Sequence, residues 1–228
     1  MSASSKEHVE LIGHYGGDST HCLSAWTSIS RELTEDKKKR IPDMLKMLAD
    51  NGHHTPFEKS TLHFLCNTTV SSHIQILKHR IGISVNAESA RYKELKEDKF
   101  YLPEDWADIK VSLSPMLSNT SFCDRDNWKG VLQAYTELGN DLYHECLKDI
   151  EPILGRKRAK ESARYFKGYN SQITADITFN FRSFAHFLKL RNSQEAQKEI
   201  REIAAQMLGL VKNIDGNPFE HTIKAFNL

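Results

Sequence analysis

Cysteine is scarce and badly spaced for chemistry. Cys22, Cys66, Cys123 and Cys146 never fall in a Cys-x-x-Cys pattern, so neither a thiolate zinc site nor a dithiol redox pair is indicated. An excess of one charge is missing too: Lys and Arg total 31 against 30 Asp and Glu, a net charge of +1. Proteins that hold a long polyanion carry a basic surplus, so a nucleic-acid partner is not expected. No apolar run approaches the length of a membrane span, and no opening stretch reads as a signal peptide. Repeats and low-complexity segments are absent. What remains is a 228-residue chain long enough for one well-buried core and expected to form a single domain, 1–228. Its thiols are expected to be free, in a reducing cytoplasm, and residues 1–10 to be loosely held.

Hydrophobic spacing places the elements. Thr34 to Leu48 reads as one helix, capped by Thr34, with Ile41, Met44, Leu45 and Leu48 at helical spacing. Asn51-Gly52 ends it, and Thr55-Pro56 is expected to hold the chain extended. From Thr61 to Thr69 the residues alternate, Leu62, Phe64 and Cys66 facing one way, as a strand requires. A helix capped by Ser71 follows, with Val70, Ile74, Leu77 and Ile81 as its apolar stripe. Asp126 or Asn127 should open a long helix to about Ile150, buried along Trp128, Val131, Leu132, Tyr135, Leu138, Leu142 and Cys146. Residues 156–166 form a short basic helix. Ile173, Ala175, Ile177, Phe179 and Phe181, alternating with Thr174, Asp176, Thr178 and Asn180, mark a second strand, followed by a helix capped by Ser183. The segment 194–211 makes the last helix, burying Ile200, Ile203, Ala204, Met207 and Leu208, with a short tail beyond Gly216-Asn217-Pro218. Trp26 is expected in the core.

Two polar clusters stand out against this frame. The first is 78–92, Lys78-His79-Arg80, then Gly82 and small residues, then Asn86, Glu88, Ser89, Arg91 and Tyr92. Guanidinium forks and backbone N–H groups presented among small residues suit a phosphate. The same composition also suits an exposed, solvated basic turn. The second cluster is Asn180, Arg182, Ser183, His186 and Arg191, on and before a helix with Arg182 and His186 four apart on a polar face. His53, His54, Glu58 and His63 invite a metal reading. No two of them form a helical i,i+4 histidine pair with a carboxylate, so no metal is expected.

In order and type, these clusters resemble the flavin-dependent thymidylate synthases (the ThyX family). The first is similar to that family's Arg-His-Arg, seven residues, Ser, then Arg-Tyr. Here Lys78 stands for the first Arg, eight residues (81–88) separate Arg80 from Ser89, and Ala87 stands where the family's Glu precedes Ser, with Glu88 one place later. Asn180-x-Arg182-Ser183-x-x-His186-Phe187-x-x-Leu190-Arg191, continued by Ala196-Gln197 and Glu199-Ile200, resembles the second signature. His53, Thr55 and Glu58 match a third, shorter pattern.

The resemblance implies an α+β fold, an antiparallel sheet flanked by helices, in a homotetramer whose sites draw on more than one subunit. It implies conversion of dUMP to dTMP with methylenetetrahydrofolate, NADPH and FAD, and no enzyme nucleophile. Arg191 would be catalytic, stabilising charge on the uracil ring. Gln75, Ile76, Leu77, Lys78, Ala87, Glu88, Ser89, Ala90, Arg91 and Arg164 would contact dUMP alongside it. His53, Thr55, Glu58, Lys78, His79, Arg80, Asn86, Asn180, Arg182 and His186 would hold FAD. A homologue that kept the ligands but lost the chemistry is the alternative, and a nucleic-acid-binding module is a third reading.

Overall fold

A computed structural model describes residues 6–89, 91, 92, 94, 95, 97–112 and 124–228. Ala90 and Cys123 therefore lie outside the described residues. Among the described residues four strands and nine α-helices run in the order β1 His8–Tyr15, α1 Asp18–Trp26, α2 Glu35–Lys39, α3 Ile41–Asp50, β2 Thr61–Thr69, α4 Val70–Ile76 and β3 Ile83–Ala87, then α5 Trp128–Leu154, α6 Arg156–Ala163, β4 Gln172–Phe179, α7 Phe181–Arg191, α8 Lys198–Lys212 and α9 Glu220–Ala225. The sheet is antiparallel, in the order β1-β2-β4-β3. This is the expected α+β class. No described helix is long and apolar enough to cross a membrane.

Internal contacts divide the chain into two compact units, one of Lys6, 68–71 and 87–173, the other of 7–67, 72–86 and 174–228. In the second unit β1 pairs with β2, Val9 opposite Cys66 and Tyr15 opposite Thr61. The strand thus takes in His8, Val9 and Glu10, which correct the expectation of a loose start: Val9 is buried, and β2 offers its backbone partners. Leu62, Phe64 and Cys66 face inward as their alternation requires. Phe179, Phe184 and Phe187 pack around them, Phe64 stacking on Phe184 at 5.7 Å. Ile200, Ile203, Ala204, Met207 and Leu208 are buried on α8, and Trp26 lies in a cluster with Cys22, Leu45, Leu48, Phe57 and Ala225.

The expected 34–48 helix is two. Thr34 caps α2 as read, accepting from the Lys37 N–H at 3.4 Å, but Pro42 opens a second helix, because its ring fits a first turn and interrupts a helix interior. Thr55-Pro56 likewise begins a 3-10 turn, Thr55–Glu58, rather than an extended segment. The tail is helix α9, not loose chain. Asp18 secures it, its carboxylate accepting from the N–H groups of His221 and Thr222 at 2.8 Å each and from the Thr222 hydroxyl at 2.6 Å.

That last bond fixes a buried histidine. The Thr222 hydroxyl spends its proton on Asp18, so it accepts from His21 Nδ1–H at 3.0 Å, leaving Nε2 to accept from Ser60 at 2.9 Å. His21 is fully buried, and desolvation pushes its pKa from 6.5 down to about 4. A histidine with a depressed folded value takes up its proton on unfolding. Its contribution is complete above about pH 6.5 and fades as the pH falls toward 4, a loss of roughly 3 kcal/mol. Chemical denaturation across that window should show this fall, and His21→Gln should make it shallower by a similar amount.

In the first unit α5 is capped by Asn127, whose Oδ1 accepts from Gly130 N–H at 2.8 Å. It packs on α6 through Tyr143, Leu147, Ala159 and Ala163. The inward face is not the expected stripe: Ala134, Thr136, Asn140, Tyr143 and Leu147 are buried, while Tyr135, Leu138 and Leu142 are 54%, 44% and 42% exposed. Polar partners draw the helix round, Thr136 Oγ1 accepting from Asn170 Nδ2 and Asn140 Oδ1 from the Lys167 ammonium. The α4 stripe is corrected in the same sense. Ile74, Leu77 and Ile81 are exposed and Ile76 is buried.

Candidate active site

The second unit brings residues 78–86 of the first polar cluster together with the second cluster. Helix α4 ends at Ile76, and turn bonds from Lys78 N–H to Gln75 O (3.3 Å) and His79 N–H to Ile76 O (3.0 Å) carry the chain on. The His79 ring sits edge-on to Phe187 at 5.1 Å and to His186 at 6.0 Å. Arg191, in the last turn of α7, reaches across. Its Nε donates to His79 Nε2 at 3.1 Å, Nη1 to Gln75 Oε1 at 3.4 Å and Nη2 to Gln75 O at 3.4 Å. The carbonyl it meets belongs to the frayed end of α4, where helices leave acceptors unsatisfied and favour cations. Burial first, then the nearby positive Arg191 and His186, pushes His79 down to about 4. The imidazole is therefore neutral at physiological pH, with its lone pair on the nitrogen facing Arg191.

Behind Gln75 lies a chain that spacing did not single out. Gln75 Nε2 donates to Gln197 Oε1 at 2.7 Å, and Gln197 Nε2 to Glu199 Oε2 at 2.7 Å. The only sequence signal was that Gln197 and Glu199 extend the second motif. Arg182 pairs with Glu58, at the end of the 3-10 turn that packs on α7, with His53 and Thr55 exposed beside it. Lys78, Arg80, Asn86 and His186 are exposed. Ile76 is fully buried, so only its backbone can face a ligand.

Asn180, not Ser183, caps α7. Its Oδ1 accepts from Ser183 N–H at 2.9 Å, and its own N–H donates to Gly82 O at 2.9 Å. Gly82 has φ +65°, and a Cβ there would lie 2.3 Å from both Asn180 Nδ2 and Ser183 Oγ. The glycine is what lets the first cluster close on the start of α7. Gly82→Ala should cost about 2 kcal/mol through strain and the displaced cap, read as a lower unfolding midpoint in urea.

The first unit holds the other predicted residues. Ser89 opens a turn, with Tyr92 N–H donating to its carbonyl at 3.0 Å. Arg91 Nε donates to Ser89 Oγ at 3.3 Å, leaving the guanidinium's terminal nitrogens for an anion. Lys160, read from its composition as one of several basic side chains, is buried and holds the Tyr92 carbonyl at 3.2 Å. Arg164 is exposed at the head of a 3-10 turn, Arg164–Phe166. Ala87 and Glu88 are half-buried.

Residues 10–215 match the family described as Thymidylate synthase complementing protein. The chain belongs to this family, the flavin-dependent thymidylate synthases. A flavin-dependent thymidylate synthase of Thermosipho africanus is 27% identical over 219 residues, 96% of this chain and 92% of that protein. One from Streptomyces avermitilis is 27% identical over 194 residues, 83% and 77% of the two chains. Among solved structures, the UMP/dUMP methylase PolB of Streptomyces cacaoi, bound to 5-Br dUMP, superposes with a TM-score of 0.73 at 24% identity. It covers 99% of this chain and 96% of that one, so the fold is shared from end to end.

Neither Cys22 nor Cys66 is poised to attack. Burial, aided by Asp18 in one case and Glu7 in the other, pushes Cys22 and Cys66 to about 12, and a thiol held protonated is a poor nucleophile.

Proposed function

We propose that the chain converts dUMP to dTMP without an enzyme nucleophile, through Arg191. The observation that carries this reading is the convergence of the two clusters, with Arg191 of the second hydrogen-bonded to His79 of the first and to Gln75 on the neighbouring helix α4. Three neutral acceptors engage one N–H on each guanidinium nitrogen, leaving two N–H groups and the charge for the ligand. Directed at N3–C4 of a uracil ring, that charge stabilises the negative charge that makes C5 nucleophilic. The family resemblance assigns contacts with dUMP to Gln75–Lys78 and, separately, to Ala87, Glu88, Ser89, Arg91 and Arg164, the last three suited by charge and hydroxyl to a phosphate and sugar.

The donor set fits FAD. Lys78 and Arg80 offer exposed positive charge for a pyrophosphate, and His53, Thr55, Arg182 and His186 offer exposed donors for ring carbonyls. Asn180 and Gly82 fix the backbone there, with Glu58 and Asn86 alongside. Bound FAD, reduced by NADPH, supplies the hydride, and methylenetetrahydrofolate supplies the carbon. The exposed Tyr135, Leu138 and Leu142 on α5 support a homotetramer that covers them, and the free thiols of Cys22, Cys66 and Cys146 suit a reducing cytoplasm.

An absorbance spectrum of the purified protein tests the reading. Flavin bands that bleach with NADPH, and dTMP formed on adding dUMP and methylenetetrahydrofolate, are expected. Colourless protein indifferent to FAD would overturn it. Colour and dUMP binding without dTMP would mark a homologue that has lost the chemistry.

A further inference from the structure

We propose that Gln197 and Glu199 are positioning residues for Arg191, forming with Gln75 a hydrogen-bond relay that ends on the Glu199 side-chain oxygen. The inference rests on the reading of Arg191 given above. A guanidinium has only donors and an ionised carboxylate only acceptors. Two amides stand between them, each with one donating and one accepting end. Joined as they are, Arg191 to Gln75 Oε1, Gln75 Nε2 to Gln197 Oε1, and Gln197 Nε2 to Glu199 Oε2, every donor meets an acceptor. Flipping either amide would set N–H against N–H or oxygen against oxygen. The chain has one self-consistent polarity, fixed by the donor-only guanidinium at one end and the acceptor-only carboxylate at the other.

The anchor is well placed. Glu199 is buried in the first turn of α8, where the helix dipole favours a negative charge. Gln197 is the N-cap residue of that helix, yet its side chain makes no cap bond and reaches Gln75 instead. Because two amides separate carboxylate from guanidinium, Arg191 is oriented without being neutralised. A direct ion pair would have oriented it equally well and cancelled the charge it brings to the ring.

Glu199→Leu and Gln197→Leu should each lower kcat about tenfold, with KM for dUMP and its dissociation constant by equilibrium dialysis unchanged within about twofold. The double variant should be no slower than the slower single one, since a relay breaks only once. Glu199→Gln, which still accepts from Gln197, should recover most of the rate and serves as the folding control. A Gln197→Leu enzyme within twofold of the parent, losses that multiply in the double variant, or a Glu199→Gln enzyme as slow as Glu199→Leu would each overturn the relay. Arg191→Ala made in parallel separates the two ideas. Normal turnover by that variant defeats the reading of Arg191, whereas a dead Arg191→Ala beside silent relay variants defeats only the relay.

Discussion

Replacing Arg191 by alanine is expected to lower kcat by about 10²–10³, the loss typical when a preorganised donor to developing charge is removed. Flavin should stay bound, because none of Lys78, Arg80, Arg182 and His186 depends on Arg191 for its place. The magnitude follows from how the side chain is held. Nε and both Nη atoms already have acceptors on His79 and Gln75, so little orientational freedom remains to be lost when substrate arrives. His79 contributes by staying neutral: burial, Arg191 and His186 all press its pKa toward about 4, and a protonated ring would turn an acceptor into a second cation. Arg191→Lys keeps the charge but not the planar fork that meets three acceptors. It should recover only part of the rate. The check is dTMP formation under saturating dUMP, alongside the visible spectrum of each variant. An Arg191→Ala protein that keeps its colour and makes dTMP at the parent rate would remove the residue from the chemistry.

How far the sequence foretold this arrangement depends on what each pattern encodes. Period-two alternation over 61–69 and 173–181 marked both strands, since a strand with one face in a core leaves no other choice of register, but the second ends at Phe179 and Phe181 opens α7. Helical spacing fixed α8 in the same way. Apolar stripes were less informative on α4 and α5. A stripe reports that a face seeks apolar company, but not that the company lies in the same chain. Tyr135, Leu138 and Leu142 therefore read as core and are exposed, while Thr136 and Asn140, outside that stripe, are turned inward by Asn170 and Lys167. Helix α9 was invisible for another reason. It is held by Asp18, Thr222 and His21, a contact between chain ends that no local window contains.

The site divides along the same line. His79, Arg182, His186 and Arg191 were legible because their order and spacing repeat a family pattern. That Arg191 clasps His79 was not legible, since the two lie on separate motifs and only folding sets their distance. Asn180 illustrates the difference well. Its place in the motif suggested a ligand contact, and the structure gives its side-chain oxygen to the cap of α7. Lys160 and Lys167 carried no signal whatever, for a buried lysine is written with the same letter as a solvated one.

Lys167 leads to the second large effect: Asp98→Ala should destabilise the protein by roughly 3–5 kcal/mol, the usual consequence of stripping one partner from a buried ion pair. The Lys167 side chain is 7% exposed and its ammonium pairs with Asp98, with Asn140 Oδ1 at 2.7 Å and the Tyr143 ring at 4.5 Å completing its surroundings. Burial pulls the Lys167 pKa below its ordinary value and Asp98 pushes it back up. Without the carboxylate the ammonium must either remain charged among neutral groups or give up its proton. Asp98 also accepts from or shares a proton with His144 Nε2 at 2.9 Å. Its backbone stands at φ +48°, a region aspartate tolerates better than alanine. Thermal unfolding should fall by about 10 °C for a chain of this size. The pair can be separated from the loop it holds by removing both charges. Asp98→Ala with Lys167→Met leaves no stranded ion and should regain most of the lost stability, because an apolar replacement of a buried pair is often neutral. Should the double variant melt as low as Asp98→Ala alone, the cost lies in the left-handed backbone and the His144 contact, and Lys167 is a bystander.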